Sequence, residues 1–194
     1  MVSRVERGPV ADWFWTIDRL FLITFVLLMG IGLMLSFAAS PAVAERLGLD
    51  SFHFVKRHAF FMLPALTVMI ALSFLSPRQV RRTAMVLLAA SLIMMVLVLF
   101  IGVEVKGGRR WLSLAGMTIQ PSEFMKILMP ATIAWYLSKR TLPPQLKHVG
   151  ISLILIGVPF ILIVRQPDLG TSLLILAGGA FVLFMGGLRW RWIL

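Results

Sequence analysis

The chain has 194 residues, of which 59% are hydrophobic and only 14% charged, where an ordinary soluble domain carries about 25% charge. Its net charge of +11 does not point to nucleic acid, because the basic residues punctuate apolar runs instead of forming a stripe; anionic lipid headgroups are the natural counter-charge. The absence of cysteine excludes a disulfide framework and cysteine-ligated zinc or iron–sulfur chemistry.

A run of about 18 or more apolar residues reads as a transmembrane helix. Residues 1–19 are polar and form an N-terminal segment, with Trp13, Phe14 and Trp15 at the depth of a headgroup belt. An amphipathic surface helix is the alternative there. The first span covers 20–39 and closes at Ser40-Pro41. It is expected to be retained, because its apolar core is too long for a cleaved leader and Glu6, Asp12 and Asp18 spoil the leader region.

Loop 40–58 holds Glu45, Arg46, Asp50, His53, Lys56, Arg57 and His58, and the second span, 59–75, contains Pro64 as a candidate kink. Arg78, Arg81 and Arg82 follow with no acid among them, and the third span is 84–103. After a loop at 106–120 come the fourth span at 121–137 and a short fifth at 150–164 with Pro159 inside it. The corner Arg165-Gln166-Pro167-Asp168 leads at once into the sixth, 169–188, and Arg189 and Arg191 lie among Trp190 and Trp192 at the end. The expected fold is therefore an all-α polytopic membrane helix bundle of about six transmembrane helices, with residues 20–194 as one transmembrane domain.

Segments on the N-terminal side of such a bundle hold eleven Lys and Arg, against six in the opposite loops. The positive-inside rule then puts the N-terminus in the cytoplasm, with the 106–120 loop and the 165–168 corner on the outer face.

The stretch from Lys106 to Lys126 is the part a simple connector does not need. It carries Lys106, Arg109, Arg110, Glu123 and Lys126, with Trp111 among them and Glu104 at its rim. Ionisable groups at membrane depth are costly and mark substrate paths more often than they stabilise a bundle. The fourth and sixth spans also begin alike, with Gln120-Pro121-Ser122-Glu123 and Gln166-Pro167-Asp168. Proline suits a first helical position, and an acid in the first turn complements the helix dipole. Glu123 and Lys126 are three residues apart and share a helix face.

If these segments meet, Lys106, Arg109, Arg110, Lys126 and Arg165 outnumber Glu123 and Asp168. The surplus favours an anion such as a lipid-linked phosphate or pyrophosphate. No catalytic residue is assigned. His53, His58 and His148 are too dispersed for a metal site, no cofactor is evident, and a divalent cation at the phosphates is left open. Gly30, Gly32, Gly178, Gly179, Gly186 and Gly187 read as close-packing positions, and the twelve methionines as core filler.

Three of these motifs, in order, resemble the SEDS proteins, the family of RodA and FtsW: Lys106-Gly107-x-x-Arg110-Trp111, Gln120-Pro121-Ser122-Glu123-x-x-Lys126, and Gln166-Pro167-Asp168-Leu169-Gly170-Thr171. The resemblance covers essentially the whole chain. It implies a bacterial inner-membrane glycosyltransferase that polymerises lipid II, an undecaprenyl pyrophosphate-linked sugar, beside a class B penicillin-binding protein.

It also implies that Arg110, Glu123, Lys126 and Asp168 lie in an outer-facing cavity, where a carboxylate base frees a sugar hydroxyl to displace the lipid pyrophosphate. Family members have about ten spans, and the acid regarded as catalytic lies on a large outer loop beyond the seventh. The expectation is thus a partial chain, inactive alone. Its first two-thirds is similar to FtsW, notably Phe52-His53-Phe54-Val55 and Ser76-Pro77-Arg78, while 142–147 onward is more similar to RodA. Two other functions fit the same cationic cleft: binding and transport of the lipid-linked precursor, or a non-catalytic membrane scaffold for the penicillin-binding protein.

Overall fold

The computed structural model describes residues 8–105, 107–114, 117–141 and 143–188. Lys106 and the terminal Arg189, Trp190, Arg191 and Trp192 lie outside the described residues. Two compact units are present, Met1–Ser76 and Pro77–Leu194.

The first unit contains α1 (Pro9–Thr16), α2 (Arg19–Arg46) and α3 (His53–Ser73). Asp18 caps α2 by accepting from the Phe21 amide, as a short carboxylate at this position does for an otherwise unpaired N–H. Two sequence expectations change here. The first apolar helix does not close at Ser40-Pro41 but runs through both to Arg46; neighbouring contacts let such helices tolerate proline, and Ser40 Oγ donates to the Ser51 carbonyl at 2.7 Å. His53 and His58 are in α3, not a loop, and the His58 ring bonds Ser36 on α2. The short α1 is fixed through Trp13, whose indole N–H donates to Ser73 Oγ at 2.7 Å and whose ring stacks on Phe74.

The second unit contains α4 (Pro77–Ile101), strands β1 (Val103–Val105), β2 (Gly108–Leu114) and β3 (Met117–Ile119), then α5 (Pro121–Ser138), α6 (Leu146–Val164) and α7 (Leu169–Met185). The expected loop is therefore a small antiparallel sheet in the order β1-β2-β3. Gly107, at φ 78°, makes the first turn, a backbone region open to glycine without steric cost.

Helix α5 is the hub, packing on α4, α6 and α7. Each helix buries one stripe at three- or four-residue spacing, such as Ser122, Met125, Met129, Ile133 and Leu137 on α5, and Thr171, Ser172, Ile175, Gly179 and Leu183 on α7. These stripes hold small polar residues, with Ser91, Ser122, Ser152 and Ser172 all buried, while Ile93, Phe100, Ile154, Leu173 and Phe181 are exposed. A soluble protein would keep such large apolar side chains inside. Small polar residues among the buried apolar ones, with further large apolar residues facing outward, is the arrangement that packs helices against each other in lipid.

The six expected spans each correspond to one helix, α2 to α7. Of these, α2, α3, α4 and α6 are long and apolar enough to cross a membrane, and α7 is a shorter apolar helix. The chain is a multi-pass membrane helix bundle. Gly179 is a close-packing position as expected, since a Cβ there would lie 2.5 Å from Ile156 on α6. Gly30, in contrast, meets nothing within 4 Å.

Candidate functional site

Helices α5 and α7 both start at the end of the second unit that carries the sheet. Pro121 is the first residue of α5, with Gln120 at its N-cap position and Glu123 in its first turn. The parallel reading of the second motif is corrected: Pro167 stays outside α7, and Asp168 is the N-cap itself. Its Oδ1 accepts from the Thr171 amide at 3.1 Å and its Oδ2 from the Thr171 hydroxyl at 3.0 Å. Aspartate is short enough to fold back on its own helix start, whereas glutamate belongs a turn further in.

Arg110 reaches this cap from β2. Its Nη2 donates to the Pro167 carbonyl at 2.9 Å, and its Nη1 lies 3.9 Å from Asp168 Oδ2. The buried Nε has no partner among the described residues. Gly108, two residues back and on the same strand face, leaves room for the guanidinium, since a Cβ there would sit 2.7 Å from Nε. Gln120 joins the cluster from α5, its Nε2 lying 3.1 Å from Ser122 Oγ and 3.4 Å from Asp168 Oδ2. Gln166, only 2% exposed, donates to the Met95 carbonyl of α4 at 3.1 Å. A buried amide must be paired in this way to avoid the cost of its lost hydration. Segments from α4, β2, α5 and the α6–α7 corner are thus tied at one place.

The other sequence candidates are distributed around this knot. Lys126 pairs with Glu123 at 2.7 Å, one turn into α5, with side chains 27% and 53% exposed. No ion pair joins it to Arg110 or Asp168 among the described residues. Arg109 points to the other face of β2 and lies 3.7 Å from Glu104, its cross-strand neighbour. Trp111 is half-buried opposite Val103.

Arg165 is exposed at the C-cap of α6, where a cation complements the negative end of the helix dipole. Gly170, the second residue of α7, has Asp168 Oδ1 3.8 Å from where its Cβ would be. Gly108 and the Met95 carbonyl were not singled out from the sequence, and Ser122 entered only as part of the Gln120-Pro121-Ser122-Glu123 motif. The i, i+3 spacing of Asp168 and Thr171 is the one signal that announces the cap.

Fold and site together define a polytopic membrane protein with a basic and carboxylate constellation where two helices begin. The FtsW/RodA/SpoVE family model, described as a cell cycle protein, matches residues 18–194, and the chain belongs to this family. It is 37% identical over 193 residues to the probable peptidoglycan glycosyltransferase FtsW of Caulobacter vibrioides, covering 99% of this chain and 50% of that protein. Peptidoglycan glycosyltransferase MrdB of Escherichia coli K12 is 41% identical over 126 residues, 65% of this chain and 34% of that one.

Among solved structures, the crystal structure of the rod shape determining protein RodA of Thermus thermophilus superposes with a TM-score of 0.76 at 28% identity, covering 91% of this chain and 56% of that one. A chain from a peptidoglycan synthase complex, described for its structural coordination of polymerization and crosslinking, gives 0.65 at 31% identity, covering 82% and 48%. The chain spans about half the length of the FtsW relative and about a third of MrdB.

Proposed function

We propose that this chain forms the substrate-holding end of a lipid II polymerase of the bacterial inner membrane, working beside a class B penicillin-binding protein. The observation that carries the reading is the joining of Arg110, Gln120, Gln166 and Asp168 beside the first turn of α5, which bears Glu123 and Lys126. The names of the relatives supply the reaction class, and the synthase complex supports a crosslinking partner.

The residues divide into two roles in this reading. Arg110 and Asp168 are committed to each other, to Thr171 and to the Pro167 carbonyl, so they shape the site. Among the described residues Lys126 is held only by its exposed neighbour, and it can exchange Glu123 for a pyrophosphate oxygen. Such an ion pair is worth under about 1 kcal/mol, and a charge-assisted bond to phosphate replaces it readily. Arg165 and the N-terminus of α5 add positive field.

In the reaction a carboxylate base frees a sugar hydroxyl, which displaces undecaprenyl pyrophosphate. Asp168 is not that base here, because its oxygens already accept from Thr171 and face Arg110. A divalent cation in this site would rest on the substrate phosphates with one or two carboxylates, as magnesium commonly does.

The test is lipid II binding to the full chain in nanodiscs. Lys126→Ala is expected to weaken binding by about ten- to hundredfold, the worth of one charged hydrogen bond, and inorganic pyrophosphate is expected to compete. Unchanged affinity in Lys126→Ala and in Arg165→Ala overturns the assignment.

A further inference from the structure

The opposite end of the second unit has an unusual charge arrangement. All three of its acids, Glu104, Glu123 and Asp168, are at the end just described. The other end carries Arg78, Arg81, Arg82, Lys139, Arg140 and Lys147 with no acid. The helices beginning there, α4 and α6, have no acid in their first turns. Cations near a helix N-terminus oppose the macrodipole, so helix stability does not account for Arg78, Arg81 and Arg82 at the start of α4. An anion held there would satisfy both the arginines and the helix start.

A small cleft of about 80 Å³ lies at this place between α4 and α5. Its walls include Val80, Ala84 and Ala131, and Arg81 and Trp135 also line it. Arg81 is half-buried and has no carboxylate partner among the described residues. The Trp135 indole N–H is buried and likewise without an acceptor. Buried donors of this kind are normally paired. Lys139 Nζ stands 4.7 Å from the centre of the Trp135 ring, bringing a second cation to the cleft.

We propose that this cleft binds an anionic glycerophospholipid, with its phosphate taken by Arg81 and Lys139 and its glycerol and first methylenes against Val80, Ala84 and Ala131. A guanidinium beside an apolar wall suits a phosphodiester carried on a hydrocarbon chain better than it suits a free ion. The surplus of cation over acid selects a net-negative headgroup over a zwitterionic one. This site is separate from the lipid II site and does not rest on that reading.

Tryptophan quenching tests it in the full chain reconstituted in vesicles. The Trp135 signal is the difference between wild type and Trp135→Phe. Brominated phosphatidylglycerol is expected to quench that signal at about fivefold lower mole fraction than brominated phosphatidylcholine, the preference expected of about one basic residue near a lipid phosphate. Arg81→Lys is expected to keep the preference and Arg81→Gln to lose it. Equal quenching by the two lipids overturns the proposal, as does an unaltered preference in Arg81→Gln. Loss of the preference in millimolar inorganic phosphate also overturns it, because the ligand would then be a free anion. If Arg81→Gln does not yield folded protein, the comparison of the two lipids on wild type, with and without phosphate, still decides.

Discussion

Asp168 performs two tasks that substitution separates. As N-cap of α7 it accepts from the Thr171 amide and hydroxyl, and as an anion it faces Arg110 at 3.9 Å with only 13% of its side chain exposed. Losing a cap costs about 1 kcal/mol. Losing the negative charge at the helix start costs about 0.3–1 kcal/mol, and losing a partly exposed ion pair at most about 1 kcal/mol more. Asp168→Asn keeps the cap and removes the charge, for a loss of up to about 2 kcal/mol; Asp168→Ala removes both, for about 1 kcal/mol more.

At about tenfold per 1.4 kcal/mol, amide hydrogen exchange in the first turn of α7 is expected to accelerate by up to about thirtyfold in the asparagine variant. In the alanine variant the expected acceleration is about fivefold greater still, with the middle of α6 unaffected in both. Exchange measured peptide by peptide in detergent reads this directly. The reasoning fails if the two variants are equally fast, since the cap would then contribute nothing, or if alanine exchanges at the wild-type rate.

Two other substitutions probe packing at named contacts. Gly179→Ala drives a methyl to 2.5 Å from Ile156, and overpacking of this kind costs about 1–3 kcal/mol; the melting temperature should fall, and adding Ile156→Ala should recover part of the loss, whereas simple additivity in thermal scans would refute the contact. Gly108→Ala intrudes on the Arg110 guanidinium at 2.7 Å, so it should speed exchange at the start of α7 in the wild-type background. It should do nothing further when Arg110 is already alanine, and an undiminished effect there would rule the mechanism out.

Much of the fold could be read from the chain, because apolar runs of spanning length leave few alternatives. The start of α5 at Pro121 was legible for a local reason, since proline has no N–H to leave unpaired at a first helical position. The sixth span was also placed to start at Leu169, as α7 does, but the same cue misassigned Pro167 as a first helical residue and Asp168 as a first-turn acid. There a short acid follows the proline, and it takes the cap in preference to a place in the first turn.

The sheet was not legible, because only Val103-Glu104-Val105 alternates in character, while Arg109-Arg110-Trp111-Leu112-Ser113 pairs like with like and hides the two-residue period. The partners of Arg110 and Gln166 were beyond reach. The first bond spans 57 residues and the second 71, and nothing local encodes which carbonyl a buried amide will find.

The seam between α4 and α5 beneath the polar knot is filled by Met95, Met125 and Met129, each no more than 1% exposed. A thioether chain has three freely turning bonds and no branch to lock it. Lys126 therefore rides on a helix whose underside is upholstered with the most pliant filling a protein core offers. A slight tilt of α5 would be taken up by rotamer changes in these three side chains more readily than across a seam of branched residues, whose side chains turn less freely.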